Sequence, residues 1–373
     1  MKKFLVGGAV RDTLMGGIPK DKDYVVVGST PEEMVSLGFS QVGADFPVFL
    51  HPETGEEYAL ARVERKVGIG YQGFACEFSP DVTLEDDLFR RDLTINAIAF
   101  DEETGQYIDP YGGIADIKAG VLRHVSKHFE EDPLRVLRVC RFAARYGFKV
   151  HPETMMMMRR VVATEDFASL SDERIYTEFM KALGEEQSSQ FIKVLNDASG
   201  IGYAFGVSEH DARSILVKHV EIDEFNDAET KLLFLLFDIT PTGRKNFEKK
   251  FKLPANFKML LEKTAMFEES YSLALEGFLS SIHKEQIVEN LLMMFKGMDI
   301  VRRPFILKTF LEVMTNYHHR ECFSYFVSEC AAAVRKALKE ATIPDGVVGS
   351  KIRDFMNDVT LATITVYVDE NVY

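Results

Sequence analysis

Apolar positions in residues 1–117 come in short β-branched runs punctuated by Gly and Pro, and this pattern predicts strands at 4–6, 24–27, 47–50, 57–61 and 93–100. Segments 31–37 and 83–89 carry helical spacing between them. After about 118 the period changes to 3.6, most clearly over 133–146, 173–183, 230–237 and 321–338, and strand-like runs nearly vanish until 363–368. The fold class is therefore α+β. A small mixed-sheet head (1–117) precedes a helical neck (118–190) and a helical body and tail (191–373), with no fixed-period repeat.

A chain of 373 residues exceeds one ordinary core, and 46% hydrophobic with 27% charged residues is the balance of a soluble globular protein. The start reaches Gly7 after only three apolar residues, too few for a secretory segment, and no apolar run is long enough to span a bilayer. The cytoplasm is the expected compartment. Cys76, Cys140, Cys322 and Cys330 have no metal-ligand spacing and read as buried free thiols. A net charge of -14 argues against a nucleic-acid partner when taken alone. Its distribution changes that picture. Residues 134–160 hold seven basic side chains against Glu153, and 241–263 hold seven against Glu248 and Glu262, so either stretch can be a phosphate track or a solvated helix face.

The sharpest chemical signal is Lys20-Asp21-Lys22-Asp23 leading into the strand at 24–27. On an extended segment Asp21 and Asp23 point the same way, and two carboxylates on one edge can hold two magnesium ions for phosphoryl chemistry. A solvated turn has the same dipeptide pattern. Upstream, Gly7-Gly8-Ala9-Val10-Arg11-Asp12 joins a strand to a helix, which suits either a triphosphate, with Arg11 as a contact, or a tight turn needing positive φ. Glu57 can supply a third carboxylate or be an exposed strand start. Arg90-Arg91-Asp92 enters the segment carrying Thr94 and Asn96, and its arginines can grip phosphate or form a surface salt bridge. Asp132-Pro133 is a helix start. Arg135, Arg138, Arg141 and Arg145 then fall on one stripe, which calls for an anion or for carboxylates from another element.

Taken together these motifs, with Asp109-Pro110-Tyr111-Gly112-Gly113 and Ser171-Asp172-Glu173-Arg174, resemble the bacterial-type (class II) CCA-adding enzymes of the nucleotidyltransferase superfamily, whose head bacterial poly(A) polymerases share. They occur in family order from residue 1 to about 185. The segments 22–34 and 45–52 look like the CCA-adding branch. The resemblance implies that CTP and ATP are added to the 3' end of tRNA with release of pyrophosphate. It implies metal ligation by Asp21 and Asp23, triphosphate contacts from Gly8 and Arg11, and a phosphate and ribose grip by Arg90, Arg91 and Asp92 with Asn96. Asp132 and Arg135 would read the base, Arg138 and Arg141 would support the nucleotide, and Glu173 with Arg174 would brace the neck. Alternatives within the resemblance are an open-ended poly(A) polymerase, an enzyme adding only A, and a catalytically silent RNA-binding homologue.

Many long relatives carry a metal-dependent HD phosphohydrolase domain, and the segment 232–239 resembles its central helix with Phe237 where histidine is required. His210-Asp211 sits in a polar helix start. Phosphohydrolase activity is therefore expected to be absent, and the C-terminal half to hold the tRNA elbow by shape and phosphate contacts.

Overall fold

Residues 1–19, 21–42, 48–66, 74–281 and 283–372 are described by the structure, a computed structural model, with the side chains of 63–66 and 74–78 excepted. Lys20, the motif Asp45-Phe46-Pro47 and the Cys76 side chain lie outside the described residues. The chain divides into two compact units, Met1–Asp223 and Glu224–Tyr373.

The first unit opens with β1 (Lys2–Val6), α1 (Gly8–Leu14), β2 (Asp23–Val27), α2 (Pro31–Ser36), β3 (Ser40–Val42), β4 (Val48–Leu50) and β5 (Glu57–Leu60). It continues through β6 (Arg62–Lys66), β7 (Phe74–Phe78), α3 (Leu84–Phe89), β8 (Ala99–Asp101), β9 (Gln106–Ile108) and α4 (Gly113–Ala119). Among the described residues seven strands form one sheet in the order β3-β4-β5-β2-β1-β8-β9, and β6 pairs with β7 separately. Alternation along the strands buries both faces. Leu5, Tyr24, Val26, Tyr58 and Leu60 pack with Val10 and Met34 on one side, while Phe4, Val6 and Val25 pack with Leu84 and Leu88 on the other. Thr30 and Thr83 start α2 and α3 with capping boxes completed by Glu33 and Asp86.

The strand expected over 93–100 is realised only at its end. Leu93 makes a single bridge to His124, and Thr94–Asn96 is a 3-10 turn. Two side chains there bond elsewhere instead of following a strand: Thr94 donates to Asp116 in α4, 22 positions on (2.7 Å), and Asn96 donates back to Asp92 (2.9 Å). Asp92, Thr94 and Asn96 consequently do not form the face of one strand.

β10 (Val121–Leu122), α5 (Leu134–Tyr146), β11 (Lys149–Val150), α6 (Pro152–Val162), α7 (Glu165–Ala168), α8 (Asp172–Leu183), α9 (Ser189–Asp197), α10 (Ile201–Phe205) and α11 (Glu209–Lys218) complete the unit. Val136, Leu137, Val139, Cys140, Ala143 and Ala144 bury one face of α5, which packs on α8 and α9. Cys322 is exposed, whereas Cys140 and Cys330 are buried free thiols. Asp211 is buried and accepts from the Ser208 hydroxyl (2.7 Å) at the start of α11.

The second unit is helical: α12 (Ala228–Leu236), α13 (Pro241–Phe251), α14 (Ala255–Ser280), α15 (Lys284–Gly297), α16 (Pro304–His318), α17 (Glu321–Glu340) and α18 (Ser350–Asn371). Residues 363–368, strand-like in sequence, lie inside α18. Thr360, Ile364 and Val368 are buried at spacings of four, and α18 packs against α15 and α17, so tertiary packing overrides β-branched propensity. The Thr360, Thr363 and Thr365 hydroxyls donate to carbonyls one turn back. Phe237 is buried with its ring edge-on to Tyr317 at 4.9 Å. Among the described residues no helix is long and apolar enough to cross a membrane.

Candidate active site

Asp23 opens β2, pairing across the sheet with Val6 on one side and Glu57 on the other. It therefore stands at the strand end that receives the β1–α1 turn. Gly7 has φ +67°, and a Cβ there would come within 3.0 Å of the Arg91 guanidinium, so glycine serves both the turn and the close approach. Asp21 lies in a bend before β2 rather than on the strand. It is near enough to act on Asp23. Asp23 is solvent-exposed as a residue, yet partial desolvation of its carboxyl pushes it above its ordinary value; Arg91 opposes the shift, and Asp21 adds to it.

Facing this edge is a cleft of about 810 Å³ lined by Gly7, Gly8, Arg11, Asp23, Arg90, Arg91, Asp92, Asn96, Asp132, Arg135, Arg138 and Arg141. Val25 and Ala59 supply apolar wall, and Phe142, Arg145 and Arg174 line it further along the helices. The geometry thus brings together the sheet edge and the arginine stripe of α5. Asp21, Glu57 and Glu173 are not among the lining residues; Glu57 and Glu173 are exposed at the starts of β5 and α8.

The arginine stripe answers its own repulsion with carboxylates. Arg138 meets Asp92 (2.7 Å), Arg141 meets Glu178 (2.6 Å) and Arg145 approaches Asp12 (3.6 Å). Burial pushes Asp92 up, but Arg138, the Asn96 bond and Arg135 outweigh it and hold the carboxyl well below the usual carboxylate range. Arg90 and Arg91 both bind buried Asp87 (3.0 and 3.1 Å), which keeps that carboxyl ionised despite its burial. Asp132 accepts from the Leu134 amide (3.1 Å) and from Arg174 (3.1 and 3.2 Å), while Arg135 donates to the His128 carbonyl (2.8 Å). The capping and bracing functions of Asp132 thus coexist, since a carboxylate has two oxygens to divide.

Residues 3–123 match the family model of the poly A polymerase head domain. The chain is 38% identical to a CCA-adding enzyme of Pseudomonas putida (strain W619) over 98% of both chains. The chain belongs to the CCA-adding enzymes. It is also 57% identical to a multifunctional CCA protein of Hahella chejuensis (strain KCTC 2396) across 54% of its own length, and the match spans about half (48%) of that longer relative. In fold it is similar to the Bacillus stearothermophilus CCA-adding enzyme in complex with CTP, with a TM-score of 0.66 and 22% identity over 98% of this chain and 89% of the other.

Several residues of the enzyme's cleft escape sequence reasoning. Asp87 carries a local signal, being three and four residues before Arg90 and Arg91 on one helical turn. Phe142, which lines the cleft, and Glu178 and Tyr146, which hold Arg141 and Asp12 behind it, carry none, because their relevance comes from which helix faces which.

Proposed function

We propose that this chain adds C, C and A to the 3' end of tRNA, taking CTP and ATP and releasing pyrophosphate, in the cleft between the Asp23 edge and α5. The observation that carries the reading is that Asp23, Arg91, Asp132 and Arg135 line one cavity. The tRNA 3'-hydroxyl oxygen attacks the α-phosphorus, the bond to the β-phosphate breaks, and pyrophosphate leaves.

Asp21 and Asp23 are the residues suited to hold magnesium. Desolvation raises the Asp23 carboxyl and Asp21 adds to the shift, both of which a bound divalent cation would counter. Magnesium is commonly bound by one or two carboxylates together with substrate phosphates, so this pair is a sufficient protein contribution. Bound there, magnesium would lower the pKa of the attacking hydroxyl and neutralise charge on the triphosphate. Glu57, beside Asp23 in the sheet and on the same face, is the candidate third carboxylate. Gly8, with Arg90 and Arg91 held by Asp87, is suited to the triphosphate; Asp92 and Asn96 are the candidates for the ribose.

Base selection follows from donor and acceptor order. Cytosine and adenine each offer an amino donor beside a ring-nitrogen acceptor; uracil and guanine offer a carbonyl beside an N–H. Asp132 can only accept and Arg135 can only donate, so the pair matches C and A and repels U and G. Arg138 and Arg141 extend the support along α5, and Arg174 orients Asp132. The helical remainder, with the basic stretch at 241–263, is the surface suited to tRNA phosphates.

The test is incubation with tRNA lacking its terminal CCA, magnesium and labelled triphosphates. Two C and one A followed by arrest is the expected product; an open-ended A tail makes the protein a poly(A) polymerase instead.

A further inference from the structure

Arg11 lines the cleft, yet it is only 4% exposed. Each of its three guanidinium nitrogens already has a protein partner. The Nε donates to Asp12 (2.9 Å), one terminal nitrogen pairs with the same carboxylate (2.8 Å), and the other donates to the Asn96 side-chain oxygen. Its guanidinium carbon lies 5.2 Å from the ring centres of both Phe142 and Tyr146, one turn apart on α5. These two rings are nearly parallel, at 8°.

The bonds continue in both directions. The Asn96 amide donates to Asp92 (2.9 Å), whose second oxygen receives Arg138 of α5 (2.8 Å). On the other side the Tyr146 hydroxyl donates to Asp12 (3.0 Å), with Arg145 at 3.6 Å. The path Arg138, Asp92, Asn96, Arg11, Asp12, Tyr146 therefore leaves α5 and returns to it about 12 Å further along the helix. Stacked rings alone tolerate sliding. A closed run of directional bonds does not, because a slip of one residue would leave buried polar groups unpaired.

We propose that Asp12 and Tyr146 are positioning residues, and that the circuit they complete through Arg11 sets where α5 lies against the head. Arg135, one turn before Arg138, is thereby held at a defined distance from the Asp23 edge, so that nucleotide selection depends on a contact at the opposite end of the helix. The inference rests on the reading of Asp132 and Arg135 as the base-selecting pair. Its competitor is that Asp12 serves only to orient Arg11 as a direct phosphate ligand, through the N–H groups left on its two terminal nitrogens.

The full chain carrying Tyr146→Phe, Asp12→Asn or both is assayed on tRNA lacking CCA, comparing kcat/KM for CTP with that for UTP at the first position. Tyr146→Phe keeps the ring and removes one bond, so the preference for CTP is expected to fall about threefold to tenfold. Asp12→Asn should lower it at least as far, and the double variant no further than the worse single one, because both cut one circuit. A general loss of folded enzyme would slow both nucleotides equally and leave the ratio intact. Wild-type ratios in the variants, or losses that multiply, overturn the proposal. It also fails if Asp12→Asn raises KM alike for CTP, ATP and UTP with the ratio kept, the signature of a phosphate ligand. Arg135→Ala run in parallel tests the underlying reading: if that variant keeps its selectivity, the base-selecting assignment is what falls. Tyr146→Phe carries the test even if Asp12→Asn does not fold.

Discussion

Asp23 and Asp92 are both acids at the cleft, and their surroundings drive them in opposite directions. Asp23 is pushed up by partial desolvation and by Asp21, with Arg91 only partly compensating. Its ionised form is thus disfavoured by the fold, and stability declines as pH rises from 3.8 through the folded value. Because Asp23 is solvent-exposed, Asp23→Asn should leave the melting temperature of the metal-free protein at neutral pH unchanged or slightly raised while lowering incorporation at least about a thousandfold; a clear loss of stability contradicts this account. Asp92 is held low, so its contribution is present above 3.8 and is lost as pH falls through its depressed folded value. Acid denaturation of Asp92→Asn should accordingly show a flatter pH dependence below about 4 than the parent. The sequence displays both aspartates inside motifs, but not these opposite shifts, which come from neighbours such as Arg138, distant by 46 positions.

At the scale of elements, strong periodicity proved a reliable guide. Pro133 and the 3.6 spacing after it mark α5 to within a residue, and the predicted helices at 173–183 and 321–338 correspond to α8 and α17. The weaker signals at 93–100 and 363–368 yielded to the hydrogen bonds of Thr94 to Asp116 and Asn96 to Asp92 in the first and to packing on α15 and α17 in the second. The short strands β3, β6, β7 and β9 were invisible because pairing partners, not propensity, create them. The Asp109-to-Gly113 motif gains a physical reason here: Asp109 caps the start of α4 through the Gly113 and Ile114 amides (2.7 and 2.9 Å), and a Cβ at Gly113 would sit 2.2 Å from the Thr94 carbonyl oxygen. Gly113→Ala should destabilise the protein by about 1–3 kcal/mol, read from denaturant melts, because backbone cannot yield as a side-chain tip can.

For the whole molecule, the division after Asp223 keeps every cleft residue within one unit. A fragment of residues 1–223 is expected to bind CTP with magnesium within a few-fold of the full chain by calorimetry, and to lose most of its tRNA affinity in a gel-shift assay; full tRNA binding by the fragment would remove the C-terminal unit from the RNA interface. The net charge of -14 makes the basic stretches matter more, since they must attract phosphate against an acidic background, and tRNA affinity should fall steeply with added salt.

Spacing along the chain was enough to determine the fold class, the helix of the arginine stripe and the family, because periodicity, caps and contiguous motifs are local properties that side-chain chemistry writes directly. Which carboxylate answers which arginine was, with one exception, decided only by tertiary structure. Asp12, Asp92 and Glu178 are ordinary acids in one dimension, and they become partners of Arg145, Arg138 and Arg141 only because chain folding gathers residues far apart in sequence beside one helix; Asp87, one helical turn from Arg90 and Arg91, is the pairing that spacing alone could have shown.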